Sequence, residues 1–133
     1  ISRQLVAAKI RVSLFIEAQP VQFQAAKSLG AQVVEIHTGA YCEAHAHEDF
    51  ALRDKTLERV KAGAKDAARL GLEVHAGHGL TFDTVQPIAA IPQIVELNIG
   101  HFLVGEAIFI GLEASIRRMR QLMDQGRQAA AAS

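Results

Sequence analysis

Two helix stops of the same type, Leu29-Gly30 and Leu70-Gly71, each lead within a few residues into an apolar, β-branched segment. This repeat constrains the fold more than any other feature of the chain. A glycine placed just after a helix takes the left-handed conformation that ends it, and a strand starting a few residues later is αβ-loop chemistry. The same unit used twice predicts alternating helices and strands. Residues 1 to 9 read as the end of a helix, followed by the strand Val12-Ser13-Leu14-Phe15-Ile16. Pro20, suited to a first helical turn, opens a short helix that Gly30 stops. Val33-Val34-Glu35-Ile36-His37 is the second strand, and Ala40 to Asp49 reads as a polar loop. From about Glu48 to Leu70 the apolar positions Leu57, Val60, Ala64 and Ala67 fall on one helical face. Glu73-Val74-His75-Ala76 is the third strand, Phe82 to Ala89 a shorter helix, and Val95 to Ile99 the fourth strand. A last helix is expected from Gly105 to Gln125, burying Leu112, Ile116, Met119 and Met123.

Nearly continuous apolar strands separated by helices indicate an α/β fold with a parallel sheet covered by helices. In an open four-stranded sheet, Val12–Ile16 and Val95–Ile99 would be largely apolar edges without protecting proline. Each is built to have a neighbour. The chain therefore reads as four βα units, the C-terminal half of a parallel (β/α)8 barrel over residues 1–127, with 128–133 as a disordered tail. A flavodoxin-like sheet is the structural alternative, and it would place the strand tips at a switch point.

Charge narrows the function. Fourteen basic and fourteen acidic residues give a formal net charge of +0, which argues against a nucleic-acid partner. No apolar run reaches the roughly 18 residues of a membrane span, so no membrane partner is expected. The single cysteine, Cys42, fits a reducing compartment, and a cytoplasmic location is the default expectation. Any bound anion has to be held locally.

Three strand tips carry glycine beside polar groups: Glu35-Ile36-His37-Thr38-Gly39, Ala76-Gly77-His78-Gly79-Leu80 and Asn98-Ile99-Gly100-His101. In parallel sheets such tips converge on active sites. His78 lies between two glycines, where the backbone can turn sharply, and an imidazole of ordinary pKa about 6.5 suits proton donation near neutrality; the alternative is a histidine merely hydrogen-bonded in a glycine turn. Glu35 sits in an apolar strand, where an unpartnered carboxylate costs several kcal/mol to bury. It either faces the mouth of the barrel or pairs with a cation, and His37, two residues on, is a candidate partner. Gly100-His101 before a helix resembles a phosphate cradle of free amides, although glycines there also permit a tight turn. His45 and His47, beside Glu48 and Asp49, have zinc-ligand chemistry but no third ligand at motif spacing, so a solvated loop is the preferred reading. Cys42, beside Tyr41, reads as a packed thiol rather than a nucleophile.

In order and spacing, Val12–Ile16, Glu35–Gly39, Ala76–Leu80 and Glu96–His101 resemble the pyridoxine 5'-phosphate synthase family over nearly the whole chain. The resemblance implies a (β/α)8 enzyme of vitamin B6 biosynthesis. Such an enzyme condenses 1-deoxy-D-xylulose 5-phosphate with 3-amino-2-oxopropyl phosphate and releases phosphate and water. It further implies His78 as general acid, Glu35 as the carboxylate stabilising cationic intermediates, Gly79 in substrate contact, and Gly100 with His101 at the substrate phosphate. No metal or organic cofactor is implied; the partners are phosphorylated small molecules, with a homo-oligomer expected. The family's N-terminal half, with two further acid-base residues and basic phosphate ligands, has no counterpart here. The rival readings are a metal-dependent sugar-phosphate isomerase or hydrolase using Glu35, His37, His78 and His101, and a non-catalytic phosphate-binding half-barrel.

Overall fold

The computed structural model describes residues 1–132, and both glycine stops take the conformation their sequence context requires. Gly30 and Gly71 lie at φ +80° and +74°. Beyond them the Ala31 and Leu72 amides reach back to the carbonyls of Ala26 and Ala67, at 3.1 and 3.2 Å, which caps the preceding helices and turns the chain toward the sheet. The elements in chain order are α1 (Ser2–Ala7), β1 (Ser13–Ile16), α2 (Pro20–Ser28), β2 (Val33–His37), α3 (Gly39–Ala46), α4 (Phe50–Arg69), β3 (Glu73–Gly77), α5 (Val85–Ala89), β4 (Ile94–Asn98), α6 (His101–Ile110) and α7 (Leu112–Ala131).

All strand pairs are parallel and the sheet order is β1-β2-β3-β4. A doubly wound sheet needs a reversal of strand order, and this one has none. Right-handed crossovers in a sequential sheet put every connecting helix on one face. That face is the core: Val34 and Ile36 of β2 with Val74 and Ala76 of β3 pack against Phe23 and Ala26 of α2 and Val60, Ala64 and Ala67 of α4. The opposite face carries Phe15, Glu35, His75 and Glu96, aligned across the four strands by register. This is the arrangement of four consecutive βα units of a (β/α)8 barrel, with the lumen face uncovered.

On that face a charged row forms. His75, itself buried, lies with Nε2 2.8 Å from Glu73 Oε1 and Nδ1 3.2 Å from Glu96 Oε1; Arg11 closes on Glu73 from the other side. The hydrogen bond from His75, then that from Arg11, holds the Glu73 carboxyl below the ordinary range.

Three expectations are corrected. The segment expected as a polar loop, Ala40 to Asp49, contains α3, whose Gly39, Tyr41, Cys42 and Ala44 are buried beneath the β2 and β3 tips. Its buried set holds one large side chain, Tyr41, among glycine, cysteine and alanine, which gives no periodic apolar stripe. The last helix does not run from Gly105: α6 starts at His101, and Gly111 at φ +84° breaks it from α7. Helix α7 continues to Ala131, so residues 128–131, expected as a disordered tail, are helical; Ser133 lies outside the described residues.

The buried stripe of α7 is also displaced. Met119 is buried, but Leu112 and Ile116 are 55% and 50% exposed, and the contact face is rotated toward Ser115 and Gly126. Close approach of backbone sets that rotation. A Cβ on Gly126 would stand 2.5 Å from the Gln86 carbonyl oxygen of α5, and Ser115 Oγ donates to the Leu103 carbonyl of α6 at 3.1 Å. Arg127 donates to the Ile91 and Ile94 carbonyls before and at the start of β4. Arg118 lies 4.2 Å above the Phe82 ring, which meets Phe102 edge-on at 4.8 Å.

Two outcomes are expected from this packing. Gly126→Ala adds a good helix former, worth about 1 kcal/mol in an open helix, yet the clash with Gln86 makes the net change a destabilisation of about 1–3 kcal/mol; a denaturation midpoint equal to or above wild type would contradict it. Because the folded-state pKa of Glu73 is depressed, its contribution is present above the ordinary glutamate value of 4.5 and is lost as pH falls through the folded-state value. Thermal midpoints of wild type are therefore expected to fall more steeply from about pH 5 to pH 3 than those of Glu73→Gln, and parallel curves would contradict the assignment.

Candidate functional site

Parallel in-order pairing brings the C-terminal tips of β2, β3 and β4 to one end of the sheet. A cleft of about 650 Å³ opens there, lined by Glu35, His78, Gly79, Gly100 and His101, with Phe15 and Asn98 beside them. All five residues singled out in the sequence as catalytic or substrate-binding candidates meet in this cleft.

Glu35 and Asn98 stand on β2 and β4, with β3 between them. Asn98 Nδ2 donates to Glu35 Oε2 at 2.9 Å, and the two side chains meet only because Gly77 separates them. A Cβ on Gly77 would run into Glu35 Oε1 and lie 2.8 Å from the Asn98 carbonyl oxygen. The carboxylate is half-buried and faces the cleft. His37, the partner expected from spacing, is not the one it takes. Pairing of Ile16 with Ile36 sets Glu17 beside His37, and His37 Nδ1 lies 3.0 Å from Glu17 Oε1. Asn98 was legible only as a polar residue near a strand end; its role depends on the register across Gly77.

His78 turns out of β3 with φ +76°, followed by Gly79 at +82°. A left-handed histidine is strained and persists only where its surroundings over-determine it. Here Thr38 does so. Its hydroxyl lies 2.7 Å from both the Gly77 and His78 carbonyl oxygens, and its amide donates to Gly77 at 2.9 Å. Gly79 is required as well, since a Cβ there would stand 3.0 Å from Cys42 Cβ.

Below the turn, Tyr41 donates to the Thr84 carbonyl at 3.1 Å, and the Thr81 amide donates to Thr84 Oγ1 at 2.9 Å. Burial pushes the Tyr41 phenol up to about 12 and raises the Cys42 thiol as well, which disfavours a thiolate. Cys42 is therefore a floor beneath the loop.

Gly100 is the N-cap of α6 and His101 its first residue. The earlier start of this helix aims its first-turn amides, which have no intrahelical acceptor, toward the cleft, and no side chain caps them. Space at Gly100 is open, with nothing within 4 Å of a built Cβ. His45 and His47 sit at the far end of α3, where His45 packs near Phe50 with ring centroids 6.4 Å apart. Among the described residues no group of three or more His, Cys, Asp and Glu side chains is placed to hold a metal ion, and Glu35, His37, His78 and His101 do not form one. No described helix is long and apolar enough to cross a membrane.

Comparison with known proteins gives the family. Residues 1–125 match the family model described as pyridoxal phosphate biosynthesis protein PdxJ. Proteins named pyridoxine 5'-phosphate synthase are similar throughout. The one from Ruegeria pomeroyi is 62% identical over 88% of this chain and 47% of its own length. The corresponding protein of Roseobacter denitrificans is 63% identical over 88% of this chain and 47% of its own. A Caulobacter relative is 64% identical over 97% of this chain and 51% of its own. The chain thus spans about half the length of the curated relatives it matches. By the match of residues 1–125 to the family model and by these relatives, the chain belongs to the pyridoxal phosphate biosynthesis PdxJ family.

Proposed function

We propose that this chain supplies half of the active site of a pyridoxine 5'-phosphate synthase, which joins 1-deoxy-D-xylulose 5-phosphate to 3-amino-2-oxopropyl phosphate with loss of phosphate and water. The observation that carries the reading is the convergence of a carboxylate, an imidazole and an uncapped helix N-terminus on one cleft. Those three groups match three chemical needs. Condensing an amine with a carbonyl passes through cationic intermediates, and Glu35, fixed by Asn98, offers a negative charge to them. Expelling hydroxide as water needs a proton, and His78 is the acid. A phosphate ester needs donors without bulk, and the Gly100–His101 turn with the first amides of α6 provides them. Gly79, beside His78, lets the substrate approach the backbone.

The unpaired outer edges of β1 and β4 are the seams at which the rest of a longer chain closes the barrel and adds its own acid-base groups. The apolar face of α6, where Ile108 and Phe109 are 80% and 84% exposed, is the surface we assign to assembly with further copies. A cytoplasmic site of action suits the free thiol of Cys42.

In the full-length protein, His78→Gln is expected to keep fold and substrate binding while losing turnover, because an amide cannot deliver a proton near pH 7. Product formation within about tenfold of wild type would remove His78 from the acid role. Glu35→Gln is expected to lower kcat more than it raises KM, since a charge that acts on intermediates contributes in the transition state. Unchanged turnover with a lowered melting temperature would instead make Glu35 a structural partner of Asn98.

A further inference from the structure

His78 has its backbone fixed by Thr38, but its ring is exposed to the cleft, and a fixed backbone does not aim a ring. The aim comes from a second imidazole. The rings of His37 and His78 lie with centroids 4.8 Å apart at 40°. Phe15 meets His37 edge-on at 5.0 Å and lies 6.3 Å from His78. Both imidazoles rest on the one residue whose side chain is absent. A Cβ on Gly39 would be 2.7 Å from His37 Cε1, 2.9 Å from His37 Nε2 and 3.2 Å from His78 Cδ2.

His37 is itself held from three elements. Its Nδ1 faces Glu17 Oε1 at 3.0 Å. The other carboxylate oxygen of Glu17 lies 3.7 Å from Arg59 of α4, and the Glu17 amide donates to Gln22 of α2 at 2.8 Å. A part-exposed carboxylate–imidazole pair contributes little to stability. Stability is therefore a weak reason for a held carboxylate to be spent on the one imidazole that packs against His78.

We propose that His37 is a positioning residue: its ring, seated on Gly39 and against Phe15, is the platform that restricts the His78 ring to the rotamer from which it serves as acid. This inference rests on the acid role of His78 and deepens it. Misplacing a reacting group by about 1 Å can cost roughly a hundredfold in rate, so loss of the platform acts on turnover and leaves substrate affinity nearly intact.

The test uses the full-length enzyme. His37→Ala is expected to lower kcat by about tenfold or more with KM within about threefold, and His37→Phe, which restores a planar ring without a titratable nitrogen, is expected to recover most of that loss. Gly39→Ala reaches the same end without touching any ionisable group, because its methyl unseats both rings, and it keeps the test open where His37→Ala does not fold. Turnover of His37→Ala within about twofold of wild type overturns the platform. Equal impairment in His37→Phe and His37→Ala overturns it too, since it would point to proton chemistry at His37.

A readout independent of synthase activity is the histidine Cε1–H resonance of His78. It is expected to be a single line in wild type and exchange-broadened in His37→Ala; an unchanged line overturns the proposal. Failure of the synthase reading would show differently, as wild-type enzyme that makes no product while the resonance of His78 still responds to His37.

Discussion

Strictly sequential parallel pairing is the constraint on which everything else in this molecule depends. With no reversal in strand order and right-handed crossovers, the helices collect on one face, and the other face is left to functional side chains. The same pairing sets the register, and the register decides who meets whom. Ile16 against Ile36 brings Glu17 to His37. Gly77 paired with both His37 and Asn98 opens the gap across which Asn98 reaches Glu35. A slip of β2 by one residue against its neighbours would turn Glu35 into the helix-facing core, where its charge has no partner.

Much of this was legible from the residues. The Schellman glycines, Gly30 and Gly71, fix two helix ends because only a residue tolerant of positive φ closes a helix in that way, and the β-branched runs after them locate β2 and β3. The five cleft residues were visible because glycine and polar side chains recur together at three strand ends, and parallel strands bring such ends to one place. Other features were hidden for definite reasons. Helix α3 lacks a periodic stripe because its buried set mixes Tyr41 with glycine, cysteine and alanine. The break at Gly111 sits inside a pattern that is apolar on both sides. The rotation of α7 follows from a backbone contact at Gly126, and a glycine announces a close approach without saying what approaches. The choice of Glu17 over Glu35 by His37 is a property of strand register, and no reading of one strand alone contains it.

The lumen face divides its charges by partner. Arg11, Glu73, His75 and Glu96 bind one another, so that network satisfies itself and is structural. Glu35, level with His75 in the strand register, takes a neutral amide, Asn98, instead. That contrast separates a carboxylate that closes a network from one whose charge faces the cleft. The phosphate contact proposed for Gly100 and His101 is compatible with a chain of formal net charge +0, because its donors would be backbone amides at a helix start.

Strain locates the chemistry within the cleft. Among the described residues only Lys9, Glu48 and His78 are left-handed without being glycine, and of these His78 alone lines the cleft. Lys9 and Glu48 end helices, where a left-handed residue is an ordinary stop. His78 follows a strand and ends no helix, so its conformation needs another reason. The hydroxyl and amide of Thr38 and the packing of Gly79 on Cys42 hold a backbone that would otherwise relax. Gly39 in turn leaves room for the His37 and His78 rings to lie together. Such over-determination of one turn is intelligible under the proposed acid role, which needs an imidazole presented to the cleft from a fixed point.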